Sequence, residues 1–301
     1  MAITDTRPAA ISSPPEPAQP SGRGRGRGRS RLRPNVVGGA GAWLWLLVII
    51  LPIYYVVITT FKDQAGFFSS NPLLPTLEPT LNNYALVLNA GFLLYLFNSF
   101  VVTVGAVLPA LLLSFMAAYA VVRGSGRFIA FTSAVFLMGL AISLQATIVP
   151  IYLIITRLGL YDSLLALILP SAAFALPISV LILSNFMRDI PNELFESMRL
   201  DGASNWSILW HLVLPMTKPA IVTVGIYNAL QVWNGFLFPL ILTQSPDKRV
   251  LPLSLWAFQS EFSVNVPAIL ASVVLSTLPL LVLYIFGRRQ LLSGLTAGFS
   301  K

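Results

Sequence analysis

Six long stretches of this chain contain no charged side chain, and they restrict the possible fold more than any other feature of the sequence. They cover residues 42 to 61, 92 to 122, 128 to 156, 163 to 187, 219 to 243 and 267 to 287. A helix needs about 20 mostly apolar residues to cross the hydrocarbon core of a bilayer, and each stretch reaches that length. The sequence therefore predicts an all-α, polytopic membrane protein with six transmembrane helices.

The composition agrees with a membrane protein and excludes an ordinary soluble domain. Charged residues make up 10% of the chain, whereas about 25% is usual in soluble proteins. The chain has no cysteine and one histidine, so we expect no disulfide, no thiol catalysis and no cysteine- or histidine-based metal site. The sequence also lacks a phosphate-binding loop and a nucleophile paired with a base. We therefore predict a protein with no catalytic residue, metal site or cofactor of its own.

The positions of the 19 arginine and lysine residues indicate how the spans are oriented. With a cytoplasmic N-terminus, 15 of them fall in the N-terminal arm, in the second and fourth connections between spans, or in the C-terminal tail. The other four are Lys62, Arg157, Lys248 and Arg249. Because cytoplasmic segments carry an excess of basic residues, this distribution predicts a multi-pass plasma-membrane protein with both termini in the cytoplasm.

Residues 1 to 38 differ from the rest of the chain and include the repeat GRGRGRGRSRLRP. Such a segment buries too little apolar surface to offset its ordering entropy, so we expect a disordered basic cytoplasmic arm before a transmembrane domain at 39 to 301. The arginines favour contact with anionic membrane lipid over RNA, because the repeat lacks the aromatic residues that stack on bases. We expect no nucleic-acid partner. A cleaved signal peptide is not expected either, because the first apolar run is long enough to span.

The longest polar interruption in the second half of the chain runs from Arg188 to Pro219. Pro191 is placed to open a short helix, and Gly202 is placed to end it with a positive φ. Ser204 and Asn205 can cap a second helix, which we expect Pro215 and Pro219 to break. The sequence predicts a bent pair of short helices between two spans.

This loop resembles the EAA loop of ATP-binding-cassette (ABC) importer permeases. The resemblance is carried by Glu196, by Asp201-Gly202-Ala203-Ser204, and by Leu214-Pro215. The two alanines that follow the glutamate in the family are replaced here by Ser197 and Met198. The resemblance implies that the loop at 188 to 219 is a cytoplasmic coupling element that docks on an ATPase. The residues implied in docking are Glu196, Ser197, Met198, Asp201, Gly202, Ala203 and Pro215.

Other parts of the chain resemble the maltose-type carbohydrate importers within that family. The matching residues are Asn98-Ser99, Ala117 to Arg123, Pro150, Tyr152, Trp233-Asn234 and the tail GRRQLLSGLTAGFSK. The resemblance implies a permease subunit that passes a sugar or oligosaccharide inward by alternating access. It also implies an ABC ATPase dimer that binds ATP and Mg, a second homologous permease subunit and an extracytoplasmic solute-binding protein. The C-terminal cytoplasmic tail at 288 to 301 is then expected near the ATPase.

Polar side chains concentrate in the fifth uncharged stretch, where Tyr227, Gln231 and Asn234 are spaced to share one helix face. Uncharged amides beside aromatic rings suit a sugar, whose hydroxyls bond to amides while its apolar face stacks on a ring. Hydrogen bonding between helices is the other interpretation of these residues. The predicted substrate-pathway residues are Tyr227, Gln231, Trp233, Asn234, Gln145 and Asn98.

Two alternative functions are left open by the sequence. An ABC importer of another solute, such as a polyamine or phosphate, would more often place a charged partner for that solute within the membrane. An ion channel or an integral membrane enzyme would need the polar groups to line a continuous pore or a catalytic pocket. The uncharged spans favour the sugar importer over the first alternative.

Overall fold

A computed structural model describes residues 36–259 and 264–297, with side chains described for 38–259, 264–282, 284 and 285. Most of the predicted arm at 1 to 38, and the last residues of the predicted tail at 288 to 301, lie outside these ranges. Contacts between Cα atoms divide the chain into two units, Met1–Ile49 and Ile50–Lys301. In the first unit the described part is helical from Val36 onward, and the buried clusters and candidate sites discussed below belong to the second unit.

The described residues form thirteen α-helices and no β-strand, with one isolated bridge between Gln259 and Val264. The first six are α1 (Val36–Thr59), α2 (Gln64–Ser69), α3 (Asn82–Asn89), α4 (Phe92–Arg123), α5 (Arg127–Gly139) and α6 (Leu144–Arg157). The others are α7 (Leu164–Arg188), α8 (Asn192–Leu200), α9 (Asn205–Ile208), α10 (Leu214–Trp233), α11 (Leu237–Leu242), α12 (Leu251–Ser254) and α13 (Val266–Ala297). The all-α prediction is confirmed.

Several helices are long and apolar enough to cross a membrane, as the uncharged stretches predict. Four qualify singly: Gly38–Thr59, Phe92–Arg123, Leu164–Arg188 and Asn205–Trp233. Helices α5 and α6 qualify only as a pair, which gives up to five spans. The described apolar part of α13, Val266–Val282, is shorter than these spans. A multi-pass membrane protein is therefore confirmed, whereas the count of six spans stays a prediction.

The third uncharged stretch, predicted as one span at 128 to 156, forms two helices that meet at an angle of 107°. Helix α5 ends at Gly139, where an added Cβ would lie 2.8 Å from the ring of Pro177 on α7. The absence of a side chain at this position lets the end of α5 approach α7 closely. Ser143 then adopts an extended conformation before α6 begins. The bend follows from this packing, which the apolar pattern does not report.

The helix that begins after Ser204 is much longer than predicted, and the expected break at Pro215 and Pro219 is wrong, because both lie within α10. Ser204 caps α9 as expected, because its hydroxyl accepts the N–H of Ser207 (3.2 Å). The chain then passes through a π-helical turn, Leu209–Val213, directly into α10. The N–H of Leu214 donates to the carbonyl of Leu209, five residues earlier. This wider turn lies immediately before Pro215 and accommodates a residue that would distort a regular α-helix.

The other end of the fifth predicted span, 219 to 243, also differs from a single helix. Helix α10 ends at Trp233, and its C-cap residue Asn234 directs the chain into a short break before α11. Gly235 suits this turn, since an added Cβ would lie 3.0 Å from the carbonyl oxygen of Val232. The polar residues of this stretch therefore lie at and just before a helix end.

Helix α4 runs past the three buried clusters formed by the described residues and packs along α7 and α10. Phe92 and Tyr95 belong to the first cluster, Val102 to the second, and Phe115 and Ala118 to the third. The third cluster also receives side chains from α8 and from the π-helical turn. Helix α4 thus connects the two candidate sites described next.

Candidate functional site

Helix α8 and the turn after it form the first candidate site, and one side chain anchors them to the protein. Phe195 is 1% exposed and packs in the cluster that includes Leu183 and Met187 of α7. Burying a phenylalanine to this extent stabilises the contact by about 1.5–3 kcal/mol. The neighbouring Glu196 and Ser197 are exposed. Helix α8 therefore presents the predicted glutamate outward from a firmly packed base.

The turn at the end of α8 is a Schellman motif centred on Gly202. Gly202 has φ +78°, and its N–H donates to the carbonyl of Arg199 (3.0 Å). The N–H of Ala203 donates to the carbonyl of Met198 (2.9 Å). The side chains of Ala203 and Met198 pack against the third cluster. Glycine adopts this backbone conformation without steric cost. The predicted helix end and positive φ at Gly202 are confirmed.

The predicted docking residues fall into three environments. Glu196, Ser197, Asp201 and Gly202 are exposed, whereas Met198 and Ala203 are half-buried. Pro215 is exposed but lies within the first turn of α10. Sequence reasoning missed two large exposed apolar residues beside the acidic ones: Leu200, which is 89% exposed, and Trp206. We call the exposed residues Glu196, Leu200, Asp201 and Trp206 the α8 surface.

Arg123, at the end of α4, holds α8 in place. Its Nη1 donates to Oδ1 of Asn192 (2.8 Å), and its guanidinium carbon lies 4.0 Å from the ring centre of Phe195. A guanidinium group over an aromatic face is attracted by the ring quadrupole. The last turn of α4 and the first half of α8 are therefore joined by one side chain.

The second candidate site is a cavity of about 240 Å³ bordered by α4, α7, α10 and α11. Its polar lining residues are Ser99, Ser171, Tyr227, Asn228 and Gln231. Phe174, Trp233 and Phe238 contribute aromatic rings. None of the described residues that line it is charged. Such a cavity combines apolar faces with a few uncharged hydrogen-bonding groups, as small-molecule sites commonly do.

Three of the six predicted pathway residues, Tyr227, Gln231 and Trp233, line this cavity together. Asn234 borders a neighbouring cavity that also includes Trp233, and its Nδ2 donates to the carbonyl of Leu230 (2.8 Å). Asn98 and Gln145 are not among the lining residues. Oε1 of Gln145 accepts the hydroxyl of Ser143 (2.7 Å), and Asn98 bonds to a distant backbone segment described below. A role in the pathway stays a prediction for all six.

Sequence reasoning did not select Asn228, although it belongs to the same polar group. Asn228 is 2% exposed, and its Nδ2 donates to the hydroxyl of Ser179 on α7 (2.8 Å). That hydroxyl donates in turn to the carbonyl of Ala175 (2.6 Å). Asn228 thus ties α10 to α7 at the cavity wall. The signal available in the sequence was its place among the other polar residues of the fifth stretch.

Known proteins with a similar sequence identify the family of this chain. The profile of the family described as "Binding-protein-dependent transport system inner membrane component" matches residues 85–291, which include both candidate sites. This chain belongs to that family. It is therefore a membrane component of a transport system and not an enzyme, as predicted. Among the described residues, no group of histidine, cysteine, aspartate or glutamate side chains could hold a metal ion.

Individual relatives of this transport family cover most of the chain. A putative ABC transporter permease of Caldicellulosiruptor sp. is 39% identical, over 83% of this chain and 91% of its own. The diacetylchitobiose uptake system permease NgcG of Streptomyces coelicolor is 32% identical, over 83% of each chain. A bacterial ABC transporter involved in the import of the acidic polysaccharide alginate has the same fold, with a TM-score of 0.74 and 22% identity. That alignment covers 84% of this chain and 95% of the other.

Proposed function

We propose that this chain is the permease subunit of an ABC importer that carries a neutral sugar or oligosaccharide into the cell by alternating access. The uncharged cavity is the observation that carries the proposal. Amide and hydroxyl groups on Gln231 and Tyr227 can replace the water around sugar hydroxyls, and the Trp233 ring can stack on an apolar sugar face. The similarity to a permease named for diacetylchitobiose uptake supports a saccharide as the solute.

A charged solute fits the same cavity poorly. A polyamine or phosphate would lose its hydration there without meeting an opposite charge, and the cost of burying an unpaired charge is several kcal/mol. Uncharged donors and acceptors carry no such penalty for a neutral sugar. The neutral saccharide is therefore preferred over these ionic alternatives.

The partners follow from the same proposal. A separate ATPase dimer binds ATP and Mg and engages the α8 surface, which lies on the predicted EAA loop at 188 to 219. The family description, which names a binding protein, supports an extracytoplasmic solute-binding protein as a second partner. A second, homologous permease subunit completes the pathway through the membrane. Closure of the ATPase dimer would move α8, and Arg123 would pass that motion to α4.

The topology proposed for this importer has six spans with both termini in the cytoplasm, based on the charge distribution. It places Glu78 and Ser125 on opposite sides, because helix α4 separates them and both are exposed. We expect single cysteines introduced at these positions to react with a membrane-impermeant thiol reagent from opposite sides of sealed vesicles. The native chain has no cysteine, so the background is low. Reaction of both from the same side would contradict the topology.

Gln231→Ala is expected to raise the KM for ATP-dependent sugar uptake by about tenfold, because the site loses an amide worth about 1–3 kcal/mol to a bound hydroxyl. The amide lines the cavity. Uptake is measured with the complete importer in vesicles, using a panel of neutral oligosaccharides with and without ATP. Binding of the ATPase should be unchanged, since Gln231 is far along α10 from the α8 surface.

Two further variants are compared with Gln231→Ala. Asn234→Ala removes a nearby amide, which in the native chain donates to the carbonyl of Leu230 on its own helix. If this variant raises KM as much as Gln231→Ala does, the pathway also includes the neighbouring cavity. Tyr227→Phe removes one hydroxyl from the cavity wall. Unchanged uptake kinetics in all three variants would favour the helix-packing role of these residues. Flux that does not need ATP, or competition by a polyamine, would contradict the importer proposal itself.

A further inference from the structure

The 242–251 segment, which connects α11 to α12, contains little regular structure. Its backbone forms one short 3-10 turn, Pro246–Lys248. Backbone N–H and C=O groups outside helices need other partners when they are buried. Here several of those partners come from two distant parts of the chain, and most of these are side chains.

The turn between α6 and α7 fastens the first half of the segment through Asp162. The N–H of Asp162 donates to the carbonyl of Leu242 (2.9 Å). Its Oδ1 accepts the N–H groups of Gln244 (2.8 Å) and Ser245 (3.0 Å), and the Ser245 hydroxyl donates to Oδ2. The Ser245 hydroxyl and these two N–H groups lower the pKa of the Asp162 carboxyl. The carboxylate is therefore ionised at neutral pH and is a strong acceptor.

Helix α4 fastens the second half through two adjacent residues. Nδ2 of Asn98 donates to the carbonyls of Asp247 (2.9 Å) and Arg249 (2.8 Å). The N–H of Leu251 donates to the hydroxyl oxygen of Ser99 (2.8 Å). Both side chains are buried, so water cannot easily replace these bonds. Asn98 uses both hydrogens of its amide to hold two carbonyls of the segment.

The segment forms part of the candidate cavity. Val250 lines the cavity together with Ser99, and its side chain is 4% exposed. It packs in the second buried cluster, which includes Val102 and Phe238. A shift of the segment would therefore move one wall of the cavity.

We propose that Asp162 and Asn98 are positioning residues for transport, which act on the solute through the 242–251 segment and do not touch it. They hold Val250 at the cavity wall and so fix the shape that the solute meets. This inference rests on the proposed function, because it takes the cavity as the place of the solute. It also gives Asn98 a different role from the solute contact that its sequence position suggested.

The backbone at Asp162 allows the carboxylate to be tested separately from the turn. Asp162 has φ +57°, and it is the one residue other than glycine with a positive φ in the described part of the chain. Glycine adopts this conformation freely, and asparagine tolerates it. Asp162→Gly therefore removes the acceptors without adding strain, whereas Asp162→Asn keeps Oδ1 as an acceptor. Asn98→Leu removes the amide on the other side at similar volume.

The first measurement follows the segment directly and needs no solute. A thiol is introduced by Val250→Cys in this cysteine-free chain, and its reaction with N-ethylmaleimide is timed in the complete reconstituted importer. We expect Asp162→Gly and Asn98→Leu each to raise this rate by about tenfold, because local opening exposes the buried position. Asp162→Asn should react at close to the wild-type rate. Unchanged rates in Asp162→Gly and Asn98→Leu would show that these two side chains do not hold the 242–251 segment. Equal rates in Asp162→Asn and Asp162→Gly would show that Oδ1 of Asp162 is not the acceptor that holds it.

The second measurement tests the link to transport. Uptake is followed in importers that keep the native Val250 and carry the Asp162 substitutions. The solute is whichever of maltose, trehalose and diacetylchitobiose the wild type takes up fastest. We expect Asp162→Gly to raise KM by about fivefold with little change in kcat, and Asp162→Asn to restore it. An exposed thiol with an unchanged KM would overturn the positioning role. If the wild type takes up none of these sugars and no member of the wider panel of neutral oligosaccharides, the proposed function fails, while the thiol rates still decide whether the segment is fastened.

Discussion

Glu196→Lys is expected to lower the amount of ATPase that copurifies with the permease by at least about tenfold. The carboxylate is exposed on the α8 surface, and it forms no ion pair with any described residue of this chain. It is therefore free to meet a cation on the ATPase. Reversing a charge at a contact replaces attraction with repulsion, and a change of about 1.4 kcal/mol already alters binding tenfold. ATPase retention, basal hydrolysis and sugar uptake are measured on the purified complex.

Glu193→Lys is the matched control for this variant. Glu193 is also exposed and lies on the same helix, three residues earlier. Its reversal disturbs the favourable interaction of an acidic residue with the helix N-terminus, which costs about 0.3–1 kcal/mol. We expect it to retain most of the ATPase. Equal loss in both variants would indicate a general charge effect and contradict a specific contact at Glu196.

Gly202→Val separates the shape of the loop from its charge. The space around Gly202 is open, since nothing lies within 4 Å of an added Cβ, but its φ of +78° strains any β-branched residue. We expect a cost of about 1–3 kcal/mol in local geometry. Gly202→Asn should be milder, because asparagine tolerates this conformation. If Glu196→Lys and Gly202→Val both keep wild-type ATPase binding and coupled uptake, the loop is not the docking element.

The start and end of α8 could be predicted from the sequence because they depend on local backbone chemistry. Proline at 191 and glycine at 202 act on the residues next to them. The outcome at Pro215 depended instead on the π-helical turn before it, which has no clear local signature. The bend between α5 and α6 depended on the contact of Gly139 with Pro177, nearly forty residues away. Hydropathy reports which residues avoid water and does not report such contacts.

The same distinction applies to the candidate cavity. Tyr227 and Gln231 could be selected because helical spacing places them on one face of a single element. The bonds of Asn98 reach residues 149 and 151 positions further along the chain, and those of Asp162 reach residues 82 and 83 positions away. No spacing rule within one helix predicts such pairs. Apart from the Ser245 hydroxyl, their partner groups are backbone N–H and C=O groups, so the partner residue types carry little signal.

The second large effect is expected at Arg123, where α4 meets α8. This residue combines an exposed hydrogen bond to Asn192 with a cation–π contact to the buried ring of Phe195, which is worth about 0.5–2 kcal/mol. Its helix also carries Ser99, which lines the cavity. At 1.5 Å per residue, the 24 positions between them span roughly 36 Å. Arg123 is thus placed to transmit motion of α8 to the cavity.

Arg123→Met keeps the apolar stem that covers the buried ring and removes the guanidinium. We expect the number of sugar molecules carried per ATP hydrolysed to fall by up to about tenfold, because the cation–π contact with Phe195 is worth about 0.5–2 kcal/mol and a change of about 1.4 kcal/mol corresponds to tenfold. ATPase binding should persist, since Arg123 lies behind α8 and not on the α8 surface. Asn192→Ala removes only the hydrogen bond, so it should lower the ratio less.

Arg123→Lys discriminates between charge and geometry at this position. Lysine keeps the positive charge but lacks the planar group that both donates to Asn192 and lies over Phe195. We therefore expect it to recover only part of the coupling. Uptake and hydrolysis are measured in the same vesicles, so that loss of protein lowers both rates while loss of coupling lowers only their ratio. A wild-type ratio in Arg123→Met would mean that the motion reaches the cavity by another route, such as the packing of α7 against α10.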